Sequence, residues 1–378
     1  MTEFDAEALL AQARTQTGFD DFGDNSFREG LDQACKALRQ LPLTESAKQG
    51  ALGKIVNDMS NRLRIEAWYK DHPEIENETI EGPLLVFGLP RTGTTATVNM
   101  LALDDRYRFP RRWEGQSQVP PPILGEEDRD PRVIQAREEA VAINEKNRHW
   151  HLYDADGPEE DQLVFGGLNM RNLYGMYPIS EEYMWWWIED DYRSTFAYFD
   201  RVFKLLQSRR PPNFWLLKSP SHLFKLDALL ERYPDLKIVM THRDPAKLIA
   251  SMASVFQMTY DSSCGTGAID KRWTGRRALE MWSEGIKRGM ATRDRIGDHR
   301  FVDVYNSDVV RDPIAAFEKA YDELGFQLDA KTRARLADYH QENAKGAYGS
   351  HDYTPEEYGL EDSKVRAAFK EYIDRFGL

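Results

Sequence analysis

Apolar residues recur along this chain with two different spacings, and the change in spacing divides it into two parts. Up to about residue 80 they fall every three or four positions, as one face of an α-helix requires. The positions concerned are Phe27, Leu31, Ala34, Leu38, Leu52, Ile55, Val56, Met59 and Leu63. Turn residues around Pro73 and Gly82-Pro83 then end the helical pattern. We predict a helical N-terminal extension over residues 1–80, which packs on a second domain over residues 81–378.

After residue 80, short continuous apolar runs alternate with helical patterns. The clearest strands are Leu84–Leu89, Phe214–Lys218, Leu236–Thr241 and Phe301–Tyr305. A continuous run is typical of a parallel strand that is covered on both faces. Predicted helices begin near Thr95, Pro131, Asp190, His222, Pro245, Lys271, Asp308 and Ala330. The pattern predicts an α/β fold with a doubly wound, mostly parallel sheet, helices on both faces, and a ligand crevice at the carboxyl ends of the strands.

Composition narrows the class of protein. The 378 residues carry a formal net charge of −13, which argues against a nucleic-acid partner and confines any anion site to a local basic pocket. The two cysteines, Cys35 and Cys264, are too few for a disulfide framework, and no cluster of residues has metal-ligand spacing, so we predict no metal. The N-terminus lacks a signal-peptide pattern, and no apolar run reaches the ~20 residues that a membrane span needs. We expect a cytoplasmic protein without a membrane span.

The first predicted strand leads into a loop that suits an anion. The stretch Gly88-Leu89-Pro90-Arg91-Thr92-Gly93-Thr94-Thr95 has the frame of a P-loop, with two glycines before a helix N-terminus. Thr94-Thr95 stands where a nucleotide triphosphatase has Lys-Ser/Thr, and the positive charge lies in the loop as Arg91. We interpret the loop as a site for a phosphorylated group other than ATP. A glycine turn that only feeds a helix is the alternative.

Two further strand ends carry cations. Lys218 ends a buried strand and needs a partner there, so we expect it in the crevice beside Arg91, with emergence into solvent as the alternative. Arg243 leaves the next strand, and Ser251 follows eight residues later on the predicted helix. A guanidinium fork and a hydroxyl can clamp a phosphate. A simple ion pair between Arg243 and Asp244 is the alternative.

Together these motifs resemble the sulfotransferases that use 3′-phosphoadenosine 5′-phosphosulfate (PAPS) as donor, with a bacterial branch as the nearest likeness. The loop from Pro90 to Thr95 is similar to the family's 5′-phosphosulfate loop, and Lys218-Ser219-Pro220 to its Lys-Ser/Thr-Pro segment. Arg243 and Ser251 match its 3′-phosphate site. The likeness spans roughly residues 84–325 and continues into the segment after Tyr305. It implies that Lys218 contacts the sulfuryl group and that the donor is bound by Pro90, Arg91, Thr92, Gly93, Thr94, Thr95, Arg243, Ser251 and Tyr305.

The expected reaction is transfer of a sulfuryl group to a hydroxyl by in-line displacement, which needs positioning and charge stabilisation but no metal. The general base that takes the hydroxyl proton stays open between Glu114, His151 and His222, in that order. Glu114 could equally pair with neighbouring arginines, and His222 could have a structural role. An aromatic stretch that runs from Tyr174 to Trp187 would suit a small hydrophobic alcohol or phenol, such as a sterol, lipid or aryl compound, although core packing explains most of it.

Other functions fit less well. A P-loop kinase or nucleotide phosphotransferase needs a lysine after Gly93 and groups that hold Mg²⁺, and neither is evident in the sequence. His242-Arg243-Asp244 is similar to a protein-kinase catalytic loop, but that motif needs Asn where Ile249 stands. A sulfotransferase-like protein that only binds its ligand is the non-enzyme alternative. By the same resemblance, the C-terminal Tyr358–Phe376 segment is expected to fold over the nucleotide, and a homodimer is an open possibility.

Overall fold

The protein is described by a computed structural model that covers residues 4–146, 153–171, 180–210, 214–343 and 354–378. Five parallel strands form one sheet in the order β2-β3-β1-β4-β5. The strands are β1 Leu84–Gly88, β2 Tyr107–Arg108, β3 Phe214–Lys218, β4 Lys237–His242 and β5 Phe301–Tyr305. The prediction of four core strands in a doubly wound parallel sheet is confirmed. The two-residue edge strand β2 was not predicted.

The chain leaves β1 toward one edge of the sheet and leaves β4 toward the other. A topological switch point therefore lies between these two neighbouring strands, and in open α/β sheets such a point is where ligands bind. The loops that follow β1 and β4 are the two segments in which the sequence predicted anion binding. The fold brings them to the same edge of the sheet.

Seventeen α-helices lie in the parts of the chain that the structure describes. They are α1 Ala6–Thr17, α2 Phe27–Gln40, α3 Glu45–Asp71, α4 Thr94–Leu101, α5 Arg112–Gln116, α6 Pro131–Lys146, α7 Asp161–Phe165, α8 Glu181–Glu189, α9 Arg193–Gln207, α10 Leu226–Arg232, α11 Ile249–Cys264, α12 Lys271–Ile296, α13 Asn306–Arg311, α14 Pro313–Glu323, α15 Ala330–Asn343, α16 Asp362–Ala368 and α17 Lys370–Phe376. The predicted starts at Pro131, Lys271 and Ala330 are confirmed. At His222 and Pro245 the chain first makes a short 3₁₀ turn and only then enters α10 and α11.

The sheet is covered on both faces, as the continuous apolar strands predicted. Along β1, Leu85 and Phe87 belong to one large core with α1–α3, α8, α9, α11 and α12. Leu84 and Val86 point the other way, into a second core with α4, α14 and α15. Strand residues alternate between the faces, so each five-residue strand contributes to both cores.

The predicted N-terminal helices form, and they share the large core with the sheet. Arg62 on α3 is fully buried and ties them to the centre of the chain. Its guanidinium donates to the Phe22 carbonyl at 2.7 Å and the Leu168 carbonyl at 3.0 Å, and it lies over the Tyr198 ring. The domain boundary near residue 80 stays a prediction. In the ranges that the structure covers, no helix is both long and apolar enough to cross a membrane.

Candidate functional site

The loop between β1 and α4 depends on two glycines for close packing. A Cβ on Gly88 would lie 2.5 Å from the Thr241 carbonyl oxygen, because the ends of β1 and β4 pack directly together here. A Cβ on Gly93 would lie 2.8 Å from Nδ2 of Asn306, and Gly93 has φ +98°. Arg91 itself adopts a left-handed backbone, with φ +69°. This conformation is costly for a residue with a side chain and is often found at functional sites.

The turn inside this loop is held by a buried threonine. Thr92 is 1% exposed, and its Oγ1 lies 2.6 Å from both the Leu89 carbonyl and the Thr241 hydroxyl. Gly93 then occupies the N-cap of α4 and has no side chain to bond the first helical amides. Those amides, the first of which belong to Thr94 and Thr95, stay available to an anion at the positive end of the helix.

The loop after β4 reaches this first loop. Arg243 is exposed, and its Nη1 donates to the Arg91 carbonyl at 3.2 Å. The alternative of an ion pair between Arg243 and Asp244 does not occur, because the Asp244 carboxylate instead accepts from Arg366 at 2.9 Å. Ser251 is buried in the first turn of α11, and the Tyr305 ring at the end of β5 lies 5.2 Å from the ring of His242. Arg91, Arg243 and Tyr305 thus lie at or just beyond the ends of adjoining strands, and Ser251 lies in the helix that follows β4.

Lys218 is buried at the end of β3, so emergence into solvent is excluded. Its Nζ donates to Oε1 of Glu160 at 2.9 Å, and the Ser219 hydroxyl donates to Oε2 of the same carboxylate at 3.3 Å. Burial raises the pKa of the Glu160 carboxyl, and the nearby Lys218 ammonium pulls it in the opposite direction. Lys218 is in register with Val86, two residues before Gly88, which places this ion pair on the strand next to the loop.

Glu160 was not among the residues that the sequence singled out. It comes from the long connection between β2 and β3, immediately before α7, and 58 residues separate it from Lys218. The sequence showed only that it lies in an acidic stretch between Asp154 and Asp161. Its partner is decided by tertiary packing, which no local pattern reports.

His222 is fully buried and bonded to the residue that follows Glu160. Its Nε2 lies 2.9 and 3.0 Å from the two carboxylate oxygens of Asp161. A carboxylate only accepts, so Nε2 donates to it, and in the neutral ring Nδ1 then has a lone pair. That buried Nδ1 has no hydrogen-bond partner among the described residues. The neighbouring carboxylates of Glu160 and Asp161 thus bind Lys218 at the end of β3 and His222 just after it.

Glu114 is committed to structural contacts. It is 1% exposed; its Oε1 accepts from Nη2 of Arg108 at 2.5 Å and its Oε2 accepts from the Arg111 amide at 3.0 Å. Glu114 thus pairs with an arginine, but with Arg108 on β2 rather than with the side chains of its neighbours Arg111 and Arg112, and its bond to the Arg111 amide caps α5. The third base candidate, His151, lies outside the described residues.

The aromatic stretch is described only in part. Tyr174, Met176 and Tyr177 lie outside the described residues, whereas Tyr183 and Trp187 are buried core residues of α8. Among the residues that the structure covers, no three His, Cys, Asp or Glu side chains converge as a metal site would require.

The chain is similar to known sulfotransferases in sequence and in structure. Residues 83–330 match the sequence model described as the sulfotransferase family. The crystal structure of sulfotransferase STF9 from Mycobacterium avium is 30% identical with a TM-score of 0.90, over 98% of this chain and 96% of that one. Sulfotransferase STF1 from Mycobacterium tuberculosis H37Rv is 26% identical with a TM-score of 0.84, over 97% of this chain and 98% of that one.

A curated relative carries a more specific name. The omega-hydroxy-beta-dihydromenaquinone-9 sulfotransferase Stf3 of Mycobacterium bovis is 24% identical over 317 residues, which are 80% of this chain and 76% of the relative. The matched family region contains the loop after β1, Lys218 and Arg243. On this match and the likeness of fold, the chain belongs to the sulfotransferase family and is a transferase enzyme.

Proposed function

We propose that this enzyme transfers the sulfuryl group of PAPS to a hydroxyl of a hydrophobic small molecule. The observation that carries the proposal is the contact between Arg243 and the Arg91 carbonyl. It joins two cationic loops at the switch point of the sheet, in a protein whose formal net charge is −13. Two neighbouring loops that each carry an exposed arginine suit a ligand with more than one anionic group.

The residues around this contact suit PAPS, which carries anionic groups at its 5′ and 3′ ends. The uncovered amides at the start of α4, Arg91 and the Lys218 ammonium would hold the 5′ end. Arg243 and Ser251 would hold the 3′-phosphate, with Tyr305 nearby. The donor, when bound, supplies a sulfuryl group attached to a phosphate leaving group, and these cations would offset the charge that develops there.

We assign the general base to Glu160 rather than to Glu114. Glu160 lies beside Lys218, and burial raises the pKa of its carboxyl, which makes the ionised form a stronger proton acceptor. It would take the proton of the acceptor hydroxyl at Oε1 or Oε2 while Lys218 keeps the carboxylate oriented. His222 is the second candidate, because its Nδ1 lone pair is unused by described residues.

The acceptor is proposed to be a lipid-like or aromatic alcohol or phenol. The name of the Mycobacterium bovis relative specifies a hydroxylated menaquinone. In this chain, the connection that carries Glu160 also carries the aromatic helices α8 and α9. We place the enzyme in the cytoplasm, in keeping with its two unpaired, buried cysteines. Dimerisation stays a prediction.

Calorimetric titration with 3′-phosphoadenosine 5′-phosphate (PAP) tests the donor site. We expect the wild type to bind PAP and to ignore ATP. Arg243→Ala should weaken PAP binding by about 10- to 100-fold, the effect of losing hydrogen bonds to a charged group. Arg295→Ala removes an exposed arginine that pairs with Asp227, and it should bind PAP as the wild type does. Absence of PAP binding, or preference for ATP with Mg²⁺, would refute the proposed function.

A further inference from the structure

Arg243 is poorly fixed by its own side chain, whereas both of its chain neighbours are firmly held. Among the described residues, its guanidinium has one hydrogen-bond partner, the Arg91 carbonyl. His242 is fully buried, and the Asp244 side chain is mostly buried, with 15% exposed. Each neighbour is bonded to one of the two C-terminal helices, α16 and α17.

His242 is enclosed by rings and bonded at both nitrogens. The ring of Phe376 on α17 stacks on it at 4.0 Å, and the Tyr305 ring lies on β5 at 5.2 Å. The Tyr372 hydroxyl of α17 is 2.9 Å from Nδ1, and an Asp303 carboxylate oxygen is 2.8 Å from Nε2. Because the carboxylate can only accept, Nε2 donates to it, and the Tyr372 hydroxyl donates to Nδ1.

The Asp303 end of this chain of bonds is anchored in the fold. Arg293 on α12 donates to both oxygens of Asp303, at 2.6 and 2.8 Å. Burial alone would raise the pKa of Asp303, but the bonds from Arg293 and His242 outweigh burial and lower it to about 2. Burial lowers the pKa of His242, which favours the neutral ring that this bonding requires. His242 thus links α17, through Tyr372, to the anchored Asp303.

Asp244, on the other side of Arg243, links α16 to the loop. Its Oδ2 accepts from Nη2 of Arg366 at 2.9 Å, and its Oδ1 accepts from the Ala246 amide at 3.0 Å. The second bond shapes the 3₁₀ turn that leads into α11, where Ser251 lies. Through Asp244, Arg366 is thus connected to both proposed 3′-phosphate contacts.

We propose that α16 and α17 act as a C-terminal clamp that positions Arg243 for the 3′-phosphate of the donor, with Tyr372 and Arg366 as its positioning residues. The clamp rests on the proposed function, because it needs a ligand with a 3′-phosphate. Tyr372 and Arg366 act through His242 and Asp244, and the proposal requires no contact of their own with the nucleotide. Fixing the backbone on both sides of an exposed arginine lowers the cost of ordering it when the phosphate binds.

The test compares PAP with adenosine 5′-monophosphate, which lacks the 3′-phosphate, in Tyr372→Phe and Arg366→Gln. Each variant should raise the Kd for PAP by about threefold to tenfold, the effect of one hydrogen bond, and leave the Kd for adenosine 5′-monophosphate unchanged. Arg366→Lys keeps the charge and should restore part of the difference. With PAPS as substrate, the KM for the donor should rise while kcat stays near the wild-type value.

Two matched controls separate positioning from general stability. Tyr233→Phe removes another buried tyrosine hydroxyl, 3.1 Å from Asp200, and Lys370→Gln removes an exposed ion pair with Asp374 on α17. Both should keep the wild-type preference for PAP. The clamp is refuted if folded Tyr372→Phe and Arg366→Gln keep that preference, or if Tyr233→Phe loses as much of it. Should the wild type not prefer PAP at all, the proposed function fails and the clamp fails with it.

Discussion

The ion pair between Lys218 and Glu160 offers the sharpest test of the proposed chemistry, and Glu160→Gln breaks it with little change of shape. At 2.9 Å between Nζ and Oε1, two unit charges attract by about 6 kcal/mol for an effective dielectric constant of about 20. Burial of both charges offsets much of this attraction. Because burial raises the pKa of Glu160 despite Lys218, the charge on Glu160 contributes little stability by itself.

The main cost of Glu160→Gln comes from Lys218, which stays buried without a charged partner. Removing one member of a buried pair costs about 3–5 kcal/mol of unfolding free energy, and we expect the lower end because glutamine can still accept from the ammonium. Lys218→Met should cost a similar amount. The double variant replaces both charges and should regain most of the loss. Urea unfolding of the four proteins measures this cycle.

Activity should follow a different pattern from stability. If Glu160 takes the hydroxyl proton, Glu160→Gln lowers kcat by about 10²- to 10⁴-fold, and the double variant stays as slow although it is stable again. The wild-type kcat should rise with pH through the raised pKa of Glu160 and then level off, whereas Glu160→Gln should lack this acidic limb. Glu159→Gln, the adjacent half-buried carboxylate, should keep the wild-type kcat on the plateau and move the acidic limb to lower pH, because the Glu159 charge raises the pKa of Glu160. An unchanged kcat and acidic limb in Glu160→Gln would refute the assignment of the base.

Two further predictions concern the fold beneath the site. Gly88→Ala places a Cβ 2.5 Å from the Thr241 carbonyl oxygen and should abolish PAP binding measured by calorimetry. Gly53→Ala in α3, where a Cβ meets no atom within 4 Å, should bind PAP normally. Normal binding by Gly88→Ala would contradict the close packing of β1 on β4. Asp303→Asn should cost about 2 kcal/mol at pH 7, because lowering the carboxyl pKa from 3.8 to about 2 corresponds to that energy at 1.36 kcal/mol per unit. The lowered pKa of Asp303 stabilises the fold above about pH 4, and this contribution is lost as the pH falls toward 2. The unfolding free energy of Asp303→Asn, measured in urea, should therefore depend less on pH than that of the wild type. An equal pH dependence of the two proteins would contradict this prediction.

The sequence could single out the residues of the proposed donor site because most of them lie within a few positions of a strand end. Gly88, Lys218 and Arg243 follow directly from where continuous apolar runs stop. The pairing of Glu160 with Lys218 was missed, since it joins segments 58 residues apart. The strand β2 was missed because two residues show no periodicity.

The contacts of Glu114 could not be predicted from the sequence for a related reason. Glu114 had the right type of side chain at roughly the expected place, but its surroundings decide its role. Arg108 is buried on β2 and needs a counter-charge, and Glu114 is the carboxylate that the fold puts beside it. A sequence shows that the arginines and the glutamate are neighbours, whereas only the packing shows which of them leave the solvent.

The way the two halves of the site are built also explains why the acceptor is harder to predict than the donor. The donor loops follow β1 and β4 directly, so the sheet fixes them. The proposed acceptor side lies in the long connection between β2 and β3, outside those loops. Besides the bonds of Glu160 and Asp161, another contact ties it to the end of β3: the buried Lys225, just after the His222 turn, donates to the Trp187, Ile188 and Asp190 carbonyls at the end of α8. Burial lowers the pKa of this ammonium to about 7, but three carbonyls at a helix C-terminus suit its charged form. The aromatic helix α8 is therefore held at a fixed distance from the end of β3. We therefore infer that acceptor specificity varies along this connection, while the proposed position of the reacting hydroxyl, next to Lys218 and Glu160, is kept.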